Sequence, residues 1–170
     1  MKTRILTFLV DSYTLLFFVL SSTLASFLFI VYQMSFTESF VRGFLFFNVG
    51  IRGLLACTAN FIPSFAEQIA VQYGWPKGQS FQREIASADG AFGVMGAVSP
   101  FFSPTFALAT ALGFFICTFL SELSGLIEIF KDLKNNKHSV SRSIITGMCI
   151  DFGMSIIFFT MACCFYLEMK

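Results

Sequence analysis

The length of its apolar runs constrains this chain more than any other feature. Tyr13 to Tyr32 contains no charged residue and matches the length, about 20 residues, that a helix needs to cross a bilayer. Runs broken by only one or two charges fill Phe44 to Phe65, Thr105 to Phe130 and Ile144 to Leu167. None alternates apolar and polar residues as a barrel strand would, and backbone groups in hydrocarbon must find partners within their own segment. The expected fold is therefore all-α, an integral membrane helical bundle forming one domain over residues 1–170. With 56% of residues apolar and 12% charged, no water-soluble core of this size could hide the excess. The formal charge of +1 excludes nucleic acid as a partner and leaves the lipid bilayer, with a membrane-protein partner or a second copy as alternatives.

Five spans are expected, at about 13–32, 44–65, 85–102, 105–130 and 144–167. Ser22 to Ser26 resembles a signal-cleavage site, but the apolar run continues past it to Tyr32, which favours a retained first span. Residues 33–43 read as a polar link. Between spans two and three, Phe65, Glu67, Gln68, Ile69, Gln72 and Tyr73 read as an interfacial helix, followed by a turn at Gly74-Trp75-Pro76-Lys77-Gly78 with Trp75 at headgroup level. Span three is thin. Ala86, Gly90, Gly93 and Ala97 share one face, with Gly96 beside it, so neighbours can approach closely and the span belongs at the middle of the bundle. Gly147 plays the same packing part in span five.

Basic residues set the expected orientation. With the N-terminus inside, Lys2, Arg4, Lys77, Arg83, Lys131, Lys134, Lys137 and Arg142 are cytoplasmic, against Arg42 and Lys170 outside. This predicts an inner-membrane protein with a cytoplasmic N-terminus and an external C-terminus.

Ionisable groups inside apolar helices are costly and normally turn into the bundle. Asn48, Arg52, Asn60, Asp89, Glu122 and Asp151 are expected to form one inward-facing polar cluster, the first three on one stripe of span two. An unpaired guanidinium at mid-membrane depth is expensive, so Arg52 is expected to pair with Asp151, or else with Glu122. Glu67, Trp75, Phe81, Gln82, Arg83 and Glu84 form a second motif at the cytoplasmic face. The cluster either fixes helix register or lines a pocket roofed by Arg52.

Other chemistry is sparse. Cys57, Cys117, Cys149, Cys163 and Cys164 are odd in number and lie in apolar runs, which is not a disulfide framework. No metal site and no cofactor are expected. Gly90-x-x-Gly93-x-x-Gly96 lies inside a helix without a preceding strand or a following Lys-Ser/Thr, so it is not a phosphate loop. His138 sits in a basic loop with no nucleophile signature nearby, and no catalytic set is recognisable.

The stretch Asn60, Pro63, Ala70 to Trp75, Ser80-Phe81-Gln82-x-Glu84-Ile85, Ala88-Asp89, Gly93 and Gly96, with Gly147-x-x-x-Asp151 later, resembles a family of small multi-pass membrane proteins of bacteria and archaea. That family is known only as a domain of unknown function, with a Gly-Trp and Phe-Gln-x-Glu pattern before a Gly-rich helix. The resemblance covers about 44–157. It departs at Asn60, where the pattern has His, and at Ser80, where it has Pro. It implies a helical bundle with a shared polar site and supplies no reaction. The expected function is a non-enzymatic structural or accessory membrane component, alone or within a larger assembly. The alternatives are transport of a small solute or proton through the polar cluster, and a redox or lipid-modifying module near Trp75 and Gln82-Arg83-Glu84.

Overall fold

The structure, a computed structural model, describes residues 2–73, 80–134 and 142–170, with side chains for 15–70, 82–127, 130 and 149–170. Every regular element among them is helical: α1 (Lys2–Val31), α2 (Phe36–Phe44), a π-helical segment (Leu45–Ile51), α3 (Arg52–Phe61), α4 (Pro63–Tyr73), α5 (Ser80–Val98), a 3₁₀ turn (Ser99–Phe101), α6 (Pro104–Lys134) and α7 (Arg142–Glu168). Three described stretches are long and apolar enough to cross a membrane: Phe36–Phe61, Pro104–Ile127 and Cys149–Glu168. Leu15–Val31 is apolar but shorter. The flanks of these helices carry large exposed side chains, among them Ile30, Leu120, Ile157 and Leu167, an apolar surface fit for a bilayer.

Helix runs beyond the expected span at Lys2 of α1 and Lys134 of α6, and α5 ends at Val98 where span three was expected to reach 102. Two further boundaries differ from the sequence reading for a local reason. Residues 33–43 are not all a link, because helix begins at Phe36. Ser35-Phe36-Thr37-Glu38 is a capping sequence in which the Ser35 hydroxyl accepts from the Glu38 N–H at 3.2 Å. Glu38 then pairs with Arg42 one turn on, at 2.9 Å. The turn before it is made by Gln33, a non-glycine residue at φ 51. At the other end span two stops at Phe61, short of Phe65. Pro63 forces Ile62 into extended backbone (φ −82, ψ 115) and starts α4 as a separate helix. Proline also opens α6, where Ser103 caps the Phe106 N–H at 3.3 Å.

Neighbouring helices run antiparallel, and residue pairs recur rung by rung. Gly43 of α2 meets the backbone of α1 at Ser21 and Ala25. Span two meets α7 through Thr37 with Glu168, Phe44 with Phe158 (rings stacked at 4.1 Å) and Arg52 with Asp151. Phe115 with Phe159 and Phe119 with Phe152 join α6 to α7. The closest approach is between span two and α5. A Cβ added at Gly50 would lie 2.6 Å from Ala97 N, at Gly53 2.8 Å from Asp89 O, at Gly93 2.7 Å from Leu54 N and at Gly96 2.6 Å from Gly50 N. Small residues on both helices therefore let two backbones touch, the packing that lipid-embedded helices use where no hydrophobic drive joins them.

The dry core occupies the end of the bundle where α2 begins. Val41, Phe44, Leu45 and Val49 pack there against Ala107 and Ala111 of α6 and Phe158, Ala162 and Phe165 of α7. Small side chains on α6 make room for rings from the facing helices, and aromatic side chains fill this end. Toward the other end the fill changes from aromatic to polar, and a cavity begins.

Candidate functional site

Phe44 and Val49, the last layer of the core, also line the wall of a cavity of about 260 Å³. Arg52, Gly53 and Ala56 continue that wall, Asp89 and Phe92 come from α5, Phe114, Cys117, Thr118, Ser121 and Glu122 from α6, and Asp151, Met154 and Ser155 from α7. Span two, α5, α6 and α7 thus contribute, and among the described residues four charged groups face one space.

Arg52 and Asp151 make its fixed element. Arg52 Nη1 donates to Asp151 Oδ1 at 3.1 Å and Nη2 to Oδ2 at 2.9 Å, a bidentate fork between two partly buried side chains. Asp89 and Glu122 both lie within the field of the same guanidinium. Glu122 Oε2 is shut off from solvent and has no hydrogen-bond partner among the described residues. Asn48 reaches the cavity too but turns its amide away, donating to Ser21 Oγ at 2.6 Å and Phe17 O at 3.2 Å on α1.

Asn48 and Arg52 thus share one cavity, as residues four apart on a helix do, while their polar atoms bond in different directions, Asn48 to α1 and Arg52 to α7. Asn60 leaves the group altogether. It bonds the carbonyl of its own helix at Ala56, at 3.1 Å, and lines a separate pocket of about 110 Å³ with Phe61, Pro63, Glu67, Gln82 and Arg83.

This second pocket gathers part of the second motif, Glu67, Gln82 and Arg83. Gln82 is buried and donates to Ala66 O at 2.9 Å, tying α5 to α4. Glu84 is exposed and does not line it. Trp75 lies outside the described residues, and Phe81 and Gly147 stand in α5 and α7 with side chains outside them. Gly90, Gly93 and Gly96 face span two, Gly90 against the Cys57 side chain.

Residues that the sequence reading passed over complete both the packing and the cavity. Gly50 and Gly53 are the reciprocal half of the glycine interface with α5, Gly43 makes the matching close approach to α1, and their recurrence along one span was the available signal. Cys117, Thr118 and Ser121 line the cavity at helical spacing beside Glu122.

The residues that build this cavity fall inside one family match, to a family of unknown function (DUF6790), over residues 11–166. The chain belongs to that family. The match reaches into span one, beyond the stretch of about 44–157 that carried the resemblance, so α1 is part of the shared unit. No curated protein and no solved structure matches the chain. The family's description assigns no activity, and the site alone must carry the functional argument.

Proposed function

We propose that this DUF6790 protein is an integral inner-membrane protein, N-terminus cytoplasmic and C-terminus outside, that binds a small solute in the cavity around Arg52 and passes it across the bilayer. The observation that supports this reading is the concentration of Arg52, Asp89, Glu122 and Asp151 around one cavity of about 260 Å³ between apolar helices. Charged groups among lipid-facing helices are costly, and grouping them around an open space is the arrangement of a solute path.

One observation favours the second reading, an accessory or structural membrane component. Arg52 and Asp151 satisfy each other in a fork that fixes helix register by itself. Native mass spectrometry of the gently extracted protein separates the two. A solute-binding protein carries a small-molecule adduct that is lost when the cavity is filled, by Thr118→Trp or the milder Ala56→Leu. An accessory component flies bare, with lipid alone or with a partner protein, and filling the cavity changes nothing.

A further inference from the structure

The charges facing the cavity do not balance. Among the described residues that line it, Arg52 is basic while Asp89, Glu122 and Asp151 are acidic. The fork to Asp151 commits the guanidinium geometrically, and Glu122 directs a solvent-shielded oxygen with no hydrogen-bond partner among the described residues. Carboxylates so placed take up a proton or bind a positive partner, because an uncompensated charge in a low-dielectric interior is expensive, and an open cavity leaves room for such a partner. The same imbalance repels anions. Among the described residues no three His, Cys, Asp or Glu side chains converge closely enough to hold a metal ion, which directs attention to a cation that needs fewer ligands.

The walls and the opening narrow the chemistry further. Phe44, Phe92, Phe114 and Met154 give the cavity aromatic and apolar faces, against which an ammonium group is attracted by the ring quadrupole. Cys117 and Ser121 line the cavity yet are exposed, so it opens along α6. Ile116 and Leu120, next to them on that helix, are large exposed apolar side chains, so the opening faces the same environment as the lipid-facing surface.

We propose that the cavity takes a small organic cation, an ammonium group on an apolar or aromatic body, held by Glu122 and Asp89 and admitted from the bilayer along α6. This deepens the solute-binding reading and rests on it. The ammonium adds a positive charge beside Glu122 and Asp89, and the body fills the space between the phenylalanines.

The test is equilibrium binding to the full chain in neutral phosphatidylcholine nanodiscs, with benzyltrimethylammonium as the cation, 3-phenylpropionate as the anion and benzyl alcohol as the neutral probe. The expected result is saturable binding of the cation alone, abolished by Thr118→Trp and weakened about tenfold by Glu122→Gln or Asp89→Asn, the loss of one charge-assisted contact. Two carboxyl variants are used so that a folding failure of one leaves the other informative. Binding of the anion or the neutral probe as tight as that of the cation, if sensitive to Thr118→Trp, overturns the cation assignment and leaves the cavity as a solute site. Cation binding unchanged in both Glu122→Gln and Asp89→Asn also overturns it. Absence of any binding that Thr118→Trp removes overturns both the assignment and the reading beneath it.

Discussion

Arg52 and Asp151, 99 residues apart in the chain, hold each other through two parallel hydrogen bonds at the point where the π-helical segment gives way to α3. The pair lies beneath the aromatic core and on the wall of the cavity, so it both registers α7 against span two and sets the charge of the site.

Removing one member leaves the other without its counter-charge. Arg52→Leu and Asp151→Leu are each expected to destabilise the bundle by about 3 kcal/mol, and the double replacement by much less than the sum. Reversible unfolding in mixed micelles, read as a double-mutant cycle, checks this. Additive losses would show that the two side chains do not depend on each other.

The glycine interface predicts sensitivity by position. Gly53→Ala and Gly93→Ala put a methyl within 3 Å of backbone on the facing helix, which cannot yield as a flexible side chain can. Each is expected to cost about 1–3 kcal/mol. Gly153→Ala meets nothing within 4 Å and should be neutral or gain up to about 1 kcal/mol from helix propensity. Thermal unfolding of the three variants in one detergent separates the classes, and equal effects would contradict the close approach of span two and α5.

The sequence made most of the helices legible, because long apolar runs and the prolines at 63 and 104 carry their own physics. It also pointed to the charged groups that meet at the cavity, since Arg52, Asp89, Glu122 and Asp151 stand alone in apolar surroundings. What it hid was direction. The spacing of Asn48, Arg52 and Asn60 marks one stripe and brings the first two to one cavity, but spacing does not say which neighbour a side chain bonds, and the three serve α1, α7 and a second pocket. The start of α2 was hidden for another reason: Ser35 and Glu38 look like loop polarity until their capping geometry is seen.

Asn48 gives a third prediction. Its amide is the described polar tie between α1 and the π-helical segment, and both it and Ser21 are buried. Asn48→Ala leaves Ser21 and the Phe17 carbonyl without this donor and is expected to cost about 1–3 kcal/mol. Hydrogen exchange should quicken in α1 before it quickens in α6 or α7. Uniform quickening would mean that α1 is held mainly by other contacts.

Orientation is open to direct measurement. With the basic residues 131–142 inside, reporter fusions after Lys170 should be active only outside the cytoplasm, and fusions in the 135–141 segment only within it. Cytoplasmic activity at the C-terminus would contradict the assigned topology.

The central claim, that the space around Arg52 is a solute site rather than sealed register polarity, is tested most directly by the chemistry of Cys117. Both Cys117 and Cys164 are exposed, but Cys117 also lines the cavity. With the other cysteines replaced by alanine, alkylation of a Cys117-only chain by N-ethylmaleimide in liposomes should be slowed about tenfold by saturating benzyltrimethylammonium, while a Cys164-only chain does not respond, because an occupant of the cavity shields the thiol that lines it. Alkylation of Cys117 at the same rate with and without the cation would mean that nothing enters the cavity and that its charged groups serve only to hold the helices together.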